Sequence, residues 1–256
     1  MSIPTDYQRL MVEWAGSRLE GHDRFIADGP LSWDHWLGAD HRLIFILKEA
    51  YDTDLKITWE DQDYEKTCLG SRWTLPSLVR QLFLDGDWKP RTWQNLALWA
   101  DAMHRYEPGR IPVHEIPAID AEVLQSLRNS AVINLKKYDG KPKSSASDLA
   151  EHLRSDGGKR SNGELLVRQI QLLKPDWVVC CGTFDLLREA VGEQLGLNTP
   201  STRGGWGVGQ HNGIFWYDYW HPAWPNSPFL LANGIHAMRA IAEARTSDSL
   251  APYENT

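Results

Sequence analysis

Four short apolar runs, separated by stretches with helical periodicity, restrict the fold of this chain more than any other feature. They occupy residues 43–47 (LIFIL), 131–135 (AVINL), 177–181 (WVVCC) and 214–219 (IFWYDY). Each run is rich in β-branched or aromatic residues, and only the last shows alternation with polar residues. Runs of this kind are typical of strands in a parallel sheet that is covered on both faces.

Helical patterns lie between and after these runs. Residues 164–173 (ELLVRQIQLL) place apolar side chains near one face and end at Lys174-Pro175, and further helices are predicted over 184–195 and 232–244. Strands that alternate with helices indicate an α/β domain with right-handed crossovers. We therefore expect a three-layer sandwich around a central, mostly parallel, four-stranded sheet.

The segment at about 53–130 is too long to be a simple crossover between the first two strands. It holds five of the 13 tryptophans and has a mostly helical pattern over 75–106. We interpret it as a helical, Trp-rich insertion that packs against the sheet. Residues 1–246 then form a single domain, and 247–256 are expected to be a frayed tail.

Composition limits the possible partners and location of the protein. A net charge of −7 provides no overall positive field, so nucleic-acid binding would depend on local basic patches. Cys68, Cys180 and Cys181 fit neither a disulfide framework nor a CxxC metal site, and we expect reduced thiols and no metal. Because no apolar run approaches the roughly 20 residues that span a bilayer, we expect a cytoplasmic protein with no membrane contact. We also expect a monomer.

The candidate site lies where the strands end. In open α/β sheets, ligands bind at the carboxyl ends of the strands. The residues that follow the four runs are 48–52 (KEAYD), 136–138 (KKY), 182–184 (GTF) and 221–222 (HP). Three of these four ends carry ionisable side chains, which favours a chemically active edge.

The motifs at these ends resemble a known family. LIFILKEAYD, AVINLKK, LLVRQIQLLKPDWVVCCG and YWHPAWPNSP stand in this order within residues 41–230. Their order is similar to that of the uracil-DNA glycosylase superfamily, especially its bacterial branches. Those proteins carry a G-E-A-P-G loop, a strand that ends in Asn, an R-Q-I helix before the next strand, and a final H-P loop. The resemblance implies a uracil-DNA glycosylase-like fold and a monofunctional enzyme that flips a base out of DNA and hydrolyses its N-glycosidic bond.

The resemblance implies catalytic roles for three residues. Glu49 and Asp52 fall in the loop whose carboxylate activates water or stabilises charge, and His221 falls on the histidine that donates to the base oxygen. Cleavage of an N-glycosidic bond requires the same kinds of groups. Cleavage leaves positive charge on the sugar and negative charge on the base, so a carboxylate and a hydrogen-bond donor lower the barrier from both sides.

The resemblance also implies residues that bind the substrate. Asn134 falls on the asparagine that hydrogen-bonds the edge of the extruded base, a role that suits an amide because it both donates and accepts. Trp73, in Gly70-Ser71-Arg72-Trp73, matches the aromatic residue that stacks on the base, and Tyr51 together with Trp73 would set the size of the pocket.

DNA contacts are expected around this pocket. Trp224 and Pro225, in the loop after the histidine, would press between bases as a wedge. Lys136, Lys137 and Arg203 would contact phosphates on single- or double-stranded DNA, with further basic residues at 141, 143, 159 and 160.

Departures from the family leave the substrate open. Lys48, Tyr51 and Asp52 replace the glycine, proline and glycine of the first motif, and the cysteines that hold an iron–sulfur cluster are absent, so we expect no cofactor. The base is either uracil, as in DNA repair, or a modified and possibly bulky pyrimidine, as in defence against foreign DNA.

One alternative is a non-catalytic module that binds nucleic acid or nucleotides on the same fold. A nucleotide-phosphate hydrolase is weaker, because no glycine-rich loop follows the first strand.

Overall fold

The computed structural model describes residues 2–16, 25–51, 74–85, 91–106, 119–140, 145–155, 160–197, 207–223, 234–235, 237–240 and 242–243. For residues 49–51, 81–85 and 139–140 only the backbone is described. Within these ranges, no helix is long and apolar enough to cross a membrane.

Helices and strands alternate along most of the chain. In order they are α1 (Ile3–Gly16), β1 (Gly29–Pro30), α2 (Trp33–Gly38), β2 (Leu43–Tyr51), α3 (Leu75–Asp85), α4 (Arg91–His104), α5 (Ala121–Arg128), β3 (Ser130–Gly140), α6 (Ala146–Arg154), α7 (Asn162–Leu173), β4 (Trp177–Cys181), α8 (Phe184–Leu195), β5 (Gly207–His211) and β6 (Ile214–Tyr219). Helical backbone is also present at 234–235, 237–240 and 242–243, within the C-terminal helix expected from the sequence.

Local signals account for the ends of α7. Ser161 and Glu164 form a capping box, in which each side chain accepts a hydrogen bond from the other residue's backbone N–H. Lys174 adopts the left-handed conformation after the last turn, at φ 49°, and Pro175 cannot continue the helix. These signals confirm the helix predicted over 164–173.

The fold is α/β, with a six-stranded mixed sheet in the order β1-β3-β2-β4-β6-β5. The neighbours β3, β2, β4 and β6 pair in parallel, and they contain the four apolar runs. The prediction of a four-stranded sheet was wrong, because β1 and β5 add an antiparallel strand at each edge. β5 joins β6 through Asn212-Gly213, both at positive φ, and this dipeptide is a hairpin signal that the apolar pattern alone misses.

Alternate strand residues face two separate apolar cores. One contains Leu43, Phe45 and Leu47 together with side chains from α3, α4 and α5, and the other contains Ile44 and Ile46 together with side chains from α1, α7 and α8. The helices α3 to α5 belong to the segment interpreted as an insertion, and they pack on one face of the sheet. Because helices cover both faces, the strand ends are the natural place for a site.

Candidate functional site

The ends of β4 and β6 are joined at the carboxyl edge of the sheet. The backbone N–H of Gly182, which follows β4, donates to the carbonyl oxygen of Tyr219, the last residue of β6, at 2.6 Å. A Cβ atom built on Gly182 would lie 3.5 Å from the backbone nitrogen of His221 and 3.6 Å from its Cβ. His221 is therefore seated directly beside Gly182.

The surroundings of His221 keep its ring neutral. The backbone N–H of Ala223 donates to Nδ1 at 3.1 Å, so Nδ1 must accept and the ring proton is on Nε2. Burial, and then the positive charge of Lys48 on β2, lower the pKa of His221 to about 4. At neutral pH, His221 therefore presents an uncharged Nε2–H donor.

The loop that carries His221 is anchored by the insertion. Asn95, fully buried on α4, donates from Nδ2 to the carbonyl oxygen of Pro222 at 2.5 Å. One turn further along α4, the ring of Trp99 meets that of Tyr219 edge to face at 5.0 Å. Sequence reasoning missed Asn95, although a polar residue on an otherwise apolar helix face was a usable signal.

Asn134 lies on β3, opposite Leu47 of β2. Its side chain is buried, yet among the described residues neither Oδ1 nor Nδ2 has a hydrogen-bond partner, whereas most buried amide groups in proteins have one. The backbones of Asn134 and of the end of β6 are three strand spacings apart, about 14 Å. Asn134 thus holds an unsatisfied donor and an unsatisfied acceptor.

The prediction that residues 48–52 form a loop was wrong for most of this segment. β2 continues to Tyr51, because it keeps pairing with β3, which itself continues to Gly140. Glu49 pairs with Lys136 and Tyr51 with Gly140, and the register shifts between the two pairs. Glu49 and Tyr51 are therefore strand residues at the carboxyl end of β2, and their site roles stay predictions.

The prediction for Lys137 was also wrong. Its side chain is fully buried, and its Nζ donates to both carboxylate oxygens of Asp28, at 2.8 and 2.7 Å. A buried and paired ammonium group cannot contact a DNA phosphate. For Lys136, its half-buried neighbour on β3, the contact with a DNA phosphate stays a prediction.

The remaining predicted site residues lie outside the described part of the chain; they are Asp52, Trp73, Arg203, Trp224 and Pro225. Among the residues that are described, no group of three or more His, Cys, Asp or Glu side chains could hold a metal ion. The described part of the site therefore consists of His221, Lys48, Asn134 and the groups that hold them.

Comparison with known proteins adds no relative. No family model matches the chain, and no curated protein matches its sequence significantly.

Proposed function

We propose that this protein is a monofunctional DNA glycosylase that flips a base out of DNA and hydrolyses its N-glycosidic bond to leave an abasic site. The observation that carries the proposal is the neutral His221 at the carboxyl end of β6, with its proton on Nε2. The order of the four motifs supports the same reading. On this proposal, the fold is the three-layer, uracil-DNA glycosylase-like sandwich expected from the sequence.

His221 would act on the leaving base. Its Nε2–H donates to a base oxygen as negative charge builds on the ring, an interaction that is stronger in the transition state than in the ground state. The positive charge of Lys48 acts in the same direction. A charge that disfavours an imidazolium also favours an anionic base beside it.

Asn134 would recognise the extruded base. Its amide has a donor and an acceptor with no partner in the described part of the chain, and it matches a base edge that carries one acceptor and one donor side by side. Unstacking the base costs a few kcal/mol, and these hydrogen bonds offset part of that cost.

Glu49 and Asp52 would supply the carboxylate that positions water and stabilises the positively charged sugar. Tyr51 and Trp73 would enclose the base, and the other DNA contacts would come from Lys136, Arg203, Trp224 and Pro225. The substrate class is uracil or a modified pyrimidine in DNA, and the protein would act as a monomer without a cofactor.

Excision assays test the proposal. Single- and double-stranded oligonucleotides that each carry one candidate base are incubated with the protein, and abasic sites are cleaved with alkali. We expect strand breaks at one class of base, and His221→Asn should lower the rate about 100- to 1,000-fold.

His211→Asn is the matched control. His211 lies beside the hairpin turn at the opposite end of β6, so this variant should keep the wild-type rate. Absence of strand breaks with every base would overturn the proposal, and DNA binding without cleavage would instead favour the non-catalytic module.

A further inference from the structure

A buried ion pair lies directly behind Asn134. The side chains of Asp28 and Lys137 are both fully buried, and Nζ of Lys137 lies 2.7 Å from Oδ2 of Asp28. Burial lowers the pKa of Lys137, and Asp28 opposes that change. A buried charge pair loses much of its hydration, and this loss costs free energy of folding. The pair is therefore expected to have a specific role at this position.

The pair holds both backbone polar groups of Asn134. The N–H of Asn134 donates to Oδ2 of Asp28 at 2.6 Å, and its carbonyl oxygen accepts from Nζ of Lys137 at 2.8 Å. In a strand these two groups point to the same side, here away from β2. The pair therefore makes the two hydrogen bonds that a neighbouring strand would ordinarily make.

Strand pairing is interrupted at this point. β1 pairs with Ala131 and Val132, and the next contact of the same segment with β3 is the bridge between Phe25 and Tyr138. Asn134 lies in the gap between these two contacts. Without Asp28 and Lys137, its backbone would be buried with no partner on that side.

Groups from two helices hold Asp28 in turn. Tyr7 of α1 donates from its hydroxyl to the Asp28 carbonyl oxygen at 2.7 Å, and Gln169 of α7 donates to Oδ1 at 2.8 Å. The next residue must be glycine: Gly29 has φ 130°, and a Cβ there would overlap the Tyr7 hydroxyl. The ring of Trp14 covers Lys137 at 4.8 Å.

We infer that Asp28 and Lys137 are positioning residues that fix the backbone of Asn134, and with it the amide that reads the base. This inference rests on the proposed function. Apolar side chains could fill the same space, but they could not hold this residue by both its N–H and its carbonyl oxygen. A displacement of about 1 Å in such a group is enough to slow a reaction about 100-fold.

The double variant Asp28→Asn/Lys137→Met tests the inference. It removes both charges at nearly constant volume and keeps an oxygen that can accept from Asn134. We expect it to fold, to lower kcat at least about tenfold, and to change the relative excision rates of different bases. Leu166→Ala, a fully buried change on α7 in the same core, controls for loss of stability and should leave kcat unchanged.

Tyr7→Phe is a milder second variant, because it removes only one oxygen, which donates to the Asp28 carbonyl and accepts from Gln169. It should lower kcat by a few-fold and shift the backbone amide resonance of Asn134 in nuclear magnetic resonance spectra, as should the double variant. Leu166→Ala should leave that resonance in place.

The outcomes separate the two proposals. An active wild-type protein whose folded double variant and Tyr7→Phe variant both keep the wild-type kcat and base preference would overturn the inference and leave the glycosylase proposal standing. A wild-type protein that excises no base would overturn the glycosylase proposal and the positioning role with it, even if the Asn134 resonance shifted.

Discussion

At the scale of single residues, the chemistry proposed for His221 depends on one tautomer. The hydrogen bond from Ala223 occupies Nδ1 and leaves the proton on Nε2. A histidine with the ordinary pKa of 6.5 would be partly cationic near neutrality, whereas burial and Lys48 lower the pKa of His221 to about 4. We therefore expect the excision rate to stay constant from neutral pH down to about pH 5 and to fall as His221 becomes protonated.

A nuclear magnetic resonance titration measures this pKa directly. In the wild-type protein His221 should titrate at about 4. Lys48→Met should raise the pKa because it removes the positive charge, whereas the matched Lys48→Arg variant should not. A wild-type pKa near 6.5, or equal values in the two variants, would contradict this account.

The residues of the site differed in how well they could be predicted. His221 could be predicted because it stands two positions after the last apolar run, where a side chain reaches the carboxyl edge. Lys137 was not, because adjacent strand residues face opposite sides of a sheet and the sequence does not indicate which of Lys136 and Lys137 is buried. Its partner, Asp28, is 109 positions away in the chain.

At the scale of elements, the turn after β4 determines the position of His221. Gly182 has φ 68°, in the left-handed region, and so does Gly213 in the hairpin turn at the opposite end of β6, with φ 79°. Alanine at either position should cost about 1–2 kcal/mol of unfolding free energy, because of the backbone conformation. At Gly182 this strain falls on the turn whose N–H holds the carbonyl oxygen of Tyr219 beside His221, whereas at Gly213 it falls at the far end of the strand.

Urea unfolding and excision assays on Gly182→Ala and Gly213→Ala together test this point. Both variants should lose similar stability, and only Gly182→Ala should lose activity. Equal activity in the two would show that the Gly182 turn does not control His221.

Most elements could be predicted because they depend on local patterns. The four apolar runs and the helices over 164–173 and 184–195 were found from periodicity and end signals. β1 and β5 were missed because they are short, contain glycine and few apolar side chains, and exist only through pairing with a neighbour. The extension of β2 to Tyr51 likewise depends on its partner strand, which local sequence cannot reveal.

At the scale of the whole molecule, two partly buried histidines make stability depend on pH. The pKa of His104 is lowered to about 4, first by burial and then by His41 and Arg239, and that of His221 is lowered to about 4 as well. The unfolded chain binds protons at these positions from about pH 6.5 downward, and the folded protein does so only near pH 4. Their contribution to stability is present above pH 6.5 and is lost as the pH falls.

Unfolding free energies measured between pH 7 and 4 check this expectation. Between about pH 6.5 and pH 4, the free energy of unfolding should fall by about 1.4 kcal/mol per pH unit for each histidine. His104→Gln should remove about half of the slope. A flat profile, or a rise toward pH 4, would contradict the neutral state of both rings.

Release of a free base from DNA is the defining step of the proposed reaction. The most direct measurement is mass spectrometry of the small molecules set free when the wild-type protein acts on DNA that contains uracil or modified pyrimidines. The account predicts one free base and an equal amount of abasic sites, both nearly abolished by His221→Asn. DNA that is bound but yields no free base from any of these substrates would contradict it.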